Sequence, residues 1–60
     1  MKKADLIKIL VPATIKYWED IVPEYTHKGK ERQLARNYWG WNKEMLLARY
    51  NNFLEKGYIQ

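Results

Sequence analysis

Apolar residues recur along this chain at the three-to-four residue spacing of amphipathic helices, and the pattern is punctuated by Pro12, Pro23, Gly29 and Gly40. Residues 4–10 fit either a short helix or an apolar strand, because a six-residue run such as Leu6 to Val11 has no period that separates the two; helix is favoured. Pro12 biases Val11 away from helical backbone and suits the first position of a new helix, where its missing N–H has no partner to lose. From there Ile15, Trp18 and Ile21/Val22 predict the apolar face of a helix that Pro23 ends, with Lys16, Glu19 and Asp20 on the other side. Residues 24–29 combine breaker and turn residues and predict a loop. Helical spacing resumes from Lys30 to Tyr38 through Leu34, Ala35 and Tyr38, and Gly40 interrupts it.

The last helix carries the clearest signals at both ends. Asn42 is suited to the N-cap, because its side chain can accept a hydrogen bond from an unpaired first-turn N–H, and Glu44 suits the helix dipole there. Turning about 100° per residue places Leu46, Leu47, Tyr50, Phe53 and Leu54 on one arc, the expected core. Met45, Arg49, Asn52 and Lys56 fall on another arc, the expected wet side. Gly57 stands where a left-handed C-cap belongs, with Tyr58 placed to fold back on Phe53.

Length and composition turn these elements into a fold class. A chain of 60 residues makes one small domain, residues 1–60, which buries only about 60% of its unfolded surface. The expectation is an all-α, compact bundle of three to four short helices. Without cysteine, stability must come from packing or self-association. Three Trp, five Tyr and one Phe provide more aromatic surface than so small an interior can enclose. Asp5 and Lys8 break the apolar run near the N-terminus, and no stretch approaches the roughly 20 apolar residues of a membrane span, so a soluble, cytoplasmic protein is expected and attachment to a membrane surface is disfavoured.

The charge is unevenly distributed. Of the net +4, residues 1–27 contribute nothing, with four Lys against four acids, whereas residues 28–60 carry seven Lys/Arg against three acids. Lys28, Lys30, Arg32 and Arg36 form the densest cluster. Lys28, Arg32 and Arg36 recur every four residues, and like charges so spaced repel by roughly 0.2–0.5 kcal/mol per pair in an isolated helix. An anionic partner would offset that repulsion; a solvated face relieved by Glu31 is the alternative reading.

Catalytic parts are missing. There is no Cys and no Ser, and with one His and two Thr no nucleophile-base-orienter set can be assembled, so no enzyme activity and no cofactor are expected. His27 with Glu24 offers two metal ligands, short of the four of a structural zinc site, so no metal is expected either. Tyr38-Trp39-Gly40-Trp41 packs three rings around a glycine, to be read as a plug over the core or as exposed anchors.

Leu34-Ala35-Arg36, Gly40, Asn42-Lys43-Glu44 and Phe53-Leu54-Glu55-Lys56-Gly57-Tyr58-Ile59 together resemble, over residues 34–59, the helix-turn-helix portion of winged-helix DNA-binding proteins. The turn carries an extra bulky aromatic residue, and Gln60 stands where the two-stranded wing would begin, so an unwinged version is expected. The resemblance implies a last helix that enters the major groove, with Lys43, Arg49 and Asn52 reading bases and Lys28, Lys30, Arg32 and Arg36 holding phosphates. The functional expectation is therefore a small nucleic-acid-binding protein, with a homodimer as the assembly that sequence-specific binding would call for. The alternative is a regulator that docks on an acidic or apolar protein surface through Trp39, Trp41, Tyr17 and Tyr58.

Overall fold

A computed structural model describes residues 1–22, 24 and 29–59. It contains three helices, α1 (Lys3–Ile21), α2 (Lys30–Trp39) and α3 (Lys43–Lys56), and no strand among the described residues. The all-α small bundle read from the sequence is the observed class. α1 is the central element: α2 and α3 each pack on it and make few contacts with each other. No helix among the described residues is long and apolar enough to cross a membrane.

The expected boundary at Pro12 is absent, and α1 runs through it as one 19-residue helix. Proline removes the N–H that would meet the Lys8 carbonyl and costs roughly 3 kcal/mol in a helix interior. Against this stands a seam that keeps helical register across it. Leu6, Ile7, Leu10, Ala13 and Thr14 are buried and Tyr17 is half-buried, while Pro12 faces outward. Each large apolar side chain on that seam contributes roughly 1.5–3 kcal/mol, so two or three of them outweigh the proline. The same seam corrects the expected face of this helix: Ile15 is buried, but Trp18, Ile21 and Val22 are exposed at its C-terminal end.

α2 is polar and adds Tyr38 to the core, with Leu34 and Ala35 half-buried. Gly29 precedes it with φ 80°, a left-handed backbone that stops the helix from extending back past Lys30. Arg32 and Arg36 therefore share a helical stripe, and Lys28 lies outside the described residues, as do Tyr25, Thr26 and His27 of the expected loop. Thr14 joins α1 to α2. Its hydroxyl donates to the Leu10 carbonyl at 2.7 Å, which uses its one proton, so the Tyr38 phenol is the donor in the bond between the two hydroxyls. Trp41 caps Tyr38 edge-on, with ring centroids 4.9 Å apart.

Both ends of α3 follow the sequence reading. The Asn42 side chain accepts from the Met45 N–H at 2.8 Å. Gly57 adopts φ 87°, and Tyr58 N–H donates to the Phe53 carbonyl at 2.9 Å, the reverse turn that brings Tyr58 and Phe53 rings to 5.8 Å. The core arc is offset from the expected one. Leu46 and Phe53 are buried and Tyr50 is half-buried, but Leu47 and Leu54 are 38% and 45% exposed. The helix is rotated so that its buried line is centred on Leu46 and Phe53 rather than between Leu46 and Leu54.

Candidate functional site

The rotation of α3 turns its Arg49 side toward α1, and the two helices enclose an open groove of about 530 Å³ lined by Tyr17, Trp41, Met45, Ala48, Arg49, Asn52, Phe53 and Lys56. Residues 45, 49, 52 and 56 form one stripe because spacings of three and four return to the same side of a helix. Tyr17 comes from the α1 seam, and Trp41 from the turn that leads into the Asn42 cap.

Cations cover the rings. The Arg49 guanidinium carbon lies 5.1 Å from the Trp41 centroid and 5.5 Å from that of Phe53, and the Lys56 ammonium lies 5.4 Å from the Tyr17 centroid. These are within the roughly 6 Å reach of cation–π attraction. Beneath them the aromatics form a mutually packed set: Tyr17 meets Phe53 and Tyr58 at 5.5 Å each. The groove wall contains no carboxylate. Tyr58 borders a separate depression with Lys16 and Tyr50, and its phenol is held above its ordinary pKa, first by a hydrogen bond to Asp20, then by desolvation and by the Asp20 charge.

The fold brings two of the candidate base readers, Arg49 and Asn52, into one groove with two of the candidate docking aromatics, Tyr17 and Trp41. Tyr17, Trp41 and Tyr58 are half-buried parts of the packing rather than free anchors. Trp39, the remaining aromatic candidate, is 52% exposed and sits elsewhere, at a groove between α1 and α2 that includes Arg32. The Lys3 ammonium donates to the Trp39 carbonyl at 2.8 Å and lies 5.5 Å from its ring centroid.

Lys30, Arg32 and Arg36 are all exposed on α2. Arg32 and Arg36 border a shallow depression with Gly29, Gln33 and Asn37, again free of carboxylates, and Lys30 borders the adjacent one beside Gln33, Leu34 and Asn37. Lys43 is exposed in the first turn of α3. Six residues before Arg49, it projects about 120° away from it around the helix, so it does not share the groove. Lys56 and Met45 belong to the groove without having been singled out as site residues, although their spacing from Arg49 and Asn52 carried the signal. Lys3 under Trp39 had none, being 36 positions away in sequence.

Among the described residues no group of three or more His, Asp or Glu side chains is placed to hold a metal ion; the Glu24–His27 pair considered from the sequence lies partly outside them. Compared with family models, with curated proteins and with solved structures, the chain matches none. The likeness to a helix-turn-helix therefore rests on the residues of 34–59 themselves.

Proposed function

We propose that this protein is a non-enzymatic nucleic-acid-binding module whose contact surface is the acid-free side of α3, with α2 supplying further phosphate contacts. The observation that carries this reading is the groove itself: Arg49, Asn52 and Lys56 converge on Tyr17 and Trp41 with no carboxylate among the lining residues. Cations beside rings suit a ligand that is both anionic and aromatic, which is the chemistry of a nucleotide chain. Arg32 and Arg36 on α2 add the sequence-independent attraction to phosphate that dominates affinity in such proteins.

Fluorescence anisotropy with labelled duplex and single-stranded oligonucleotides tests this. Binding is expected at low ionic strength, with log K falling linearly against log salt. If three to five of Lys30, Arg32, Arg36, Arg49 and Lys56 each meet a phosphate, the slope is about −2 to −4.5. Absence of salt-sensitive binding to every probe refutes the reading.

One observation favours a second reading, docking on a protein. Leu47 and Leu54, 38% and 45% exposed, lie seven residues apart and so within about 20° of each other around α3. Leu47→Lys and Leu54→Lys test it by light scattering: a dimer that dissociates in these variants supports the reading, and a monomeric parent protein removes self-association from it.

A further inference from the structure

The groove beside α3 has a geometry that distinguishes among nucleic acids, a distinction that rests on the nucleic-acid reading of the site. A helix that reads duplex DNA must project its base-reading side chains outward into the major groove. Of the three candidates on α3, Lys43 points about 120° away from Arg49 around the helix. Arg49 is half-buried, with its guanidinium carbon 5.1 and 5.5 Å from the Trp41 and Phe53 centroids. Asn52 and Lys43 are both exposed, but nine residues apart they stand about 180° from each other around the helix, so the three candidates present no common reading face.

The same features suit an unpaired strand. The site is an open groove to which α1 contributes Tyr17, whereas a duplex presents its base edges inside its own groove and calls for side chains projecting from a helix face. The Arg49 guanidinium, 5.1 Å from the Trp41 centroid and only half-buried, borders the groove, and unpaired bases stack on arginine planes as they do on aromatic rings. Asn52 is three residues from Arg49 on the same stripe, placed to donate to and accept from a base edge. Lys56, held over Tyr17 at 5.4 Å, keeps its charge at the groove rim for the adjoining phosphate.

We propose that this groove is a single-strand site, in which an unpaired base stacks on Arg49, Asn52 meets its edge and Lys56 meets the neighbouring phosphate. The experiment compares a labelled 12-mer of oligo-dT, the same length of oligo-U and a mixed-sequence duplex of that length, all at low salt. Single strands are expected to bind at least about tenfold tighter than duplex, in keeping with one stacked base. In a Trp18→Phe/Trp39→Phe variant, the fluorescence of Trp41 is expected to be quenched by oligo-dT. Arg49→Gln and Lys56→Gln should each weaken single-strand binding several-fold, whereas Lys16→Gln should not. Arg49→Lys retains charge without the plane and is expected to weaken it as well, with circular dichroism confirming that each variant is helical.

Duplex binding equal to or tighter than single-strand binding overturns this inference and leaves the nucleic-acid reading in place. So does single-strand binding that is indifferent to Arg49→Gln and Lys56→Gln in folded protein. Failure of every probe to bind overturns both.

Discussion

Thr14 and Tyr38 provide the sharpest test of how α1 and α2 are joined. The Thr14 hydroxyl gives its proton to the Leu10 carbonyl, so the buried Tyr38 phenol depends on Thr14 Oγ1 as acceptor. Thr14→Val keeps the shape and removes that acceptor. Tyr38 is only 5% exposed, so water cannot replace it, and a buried donor left unpaired costs about 1–3 kcal/mol. Tyr38→Phe removes the donor instead and leaves Thr14 satisfied by Leu10, so only the net worth of one hydrogen bond is lost, about 0.5–1.5 kcal/mol. Once the phenol is gone, losing Thr14 should add little. The double variant is expected to be close to Tyr38→Phe alone, with a coupling of about 1 kcal/mol or more in the cycle. Urea unfolding followed by far-UV circular dichroism measures all three; in heat unfolding, 1 kcal/mol corresponds to about 8 °C for so short a chain. Equal single effects that sum in the double variant would refute the assignment of Tyr38 as donor.

Three further outcomes are expected from the packing. Leu46→Ala should cost about 2–5 kcal/mol and Leu47→Ala well under half as much, since only the former is fully buried; similar losses in urea unfolding would contradict the observed rotation of α3. Gly57→Ala forces a side chain onto a backbone at φ 87° with open space around it, so backbone strain alone should destabilise by about 1–2 kcal/mol, and a neutral effect would mean that the left-handed turn is not retained. Tyr58, whose pKa is raised mainly through Asp20, adds stability that is fully present below the ordinary tyrosine value of about 10 and is lost as pH rises through the higher folded value. The tyrosinate absorbance that separates the protein from its Tyr58→Phe variant should therefore titrate above the ordinary value, and Asp20→Asn should bring it down; an unmoved midpoint rules out the Asp20 contact.

The legible parts of the fold were those fixed within a few residues. Asn42 and Gly57 bound α3 because capping and left-handed backbone are local demands of residue type. Pro12 misled for the complementary reason: its preference is local, whereas the seam from Leu6 to Tyr17 that overrides it exists only once α2 and α3 cover it. The α3 arc failed similarly. A five-residue apolar arc spans more of the helix than one neighbour can cover, and periodicity cannot say which edge stays wet. In the site, residue type identified Arg49, Asn52, Tyr17 and Trp41, but their meeting depends on α1 passing beside α3, which no spacing in the chain records. The same limit split Trp39 from Trp41: two residues apart across Gly40, they face different grooves.

The exposed leucines and the cation-covered rings are two results of one packing choice. Leaving Leu47 and Leu54 about half in water forgoes roughly 1 kcal/mol each of the 1.5–3 kcal/mol that full burial gives. In return, α3 sets Phe53 against Tyr17 and Tyr58, and each of the three ring pairs in that set contributes about 0.5–1.5 kcal/mol beyond area. The cation–π contacts of Arg49 and Lys56 add about 0.5–1 kcal/mol each at a surface site. The aromatic arrangement therefore equals or exceeds the aliphatic one, and it is available only because Tyr17 lies on the Arg49 side of α3. A rotation that buried both leucines would pull Phe53 from Tyr17 and dissolve the groove. Placement of one large ring on α1 thus determines both which apolar surface stays open to solvent and where the basic stripe of α3 is gathered.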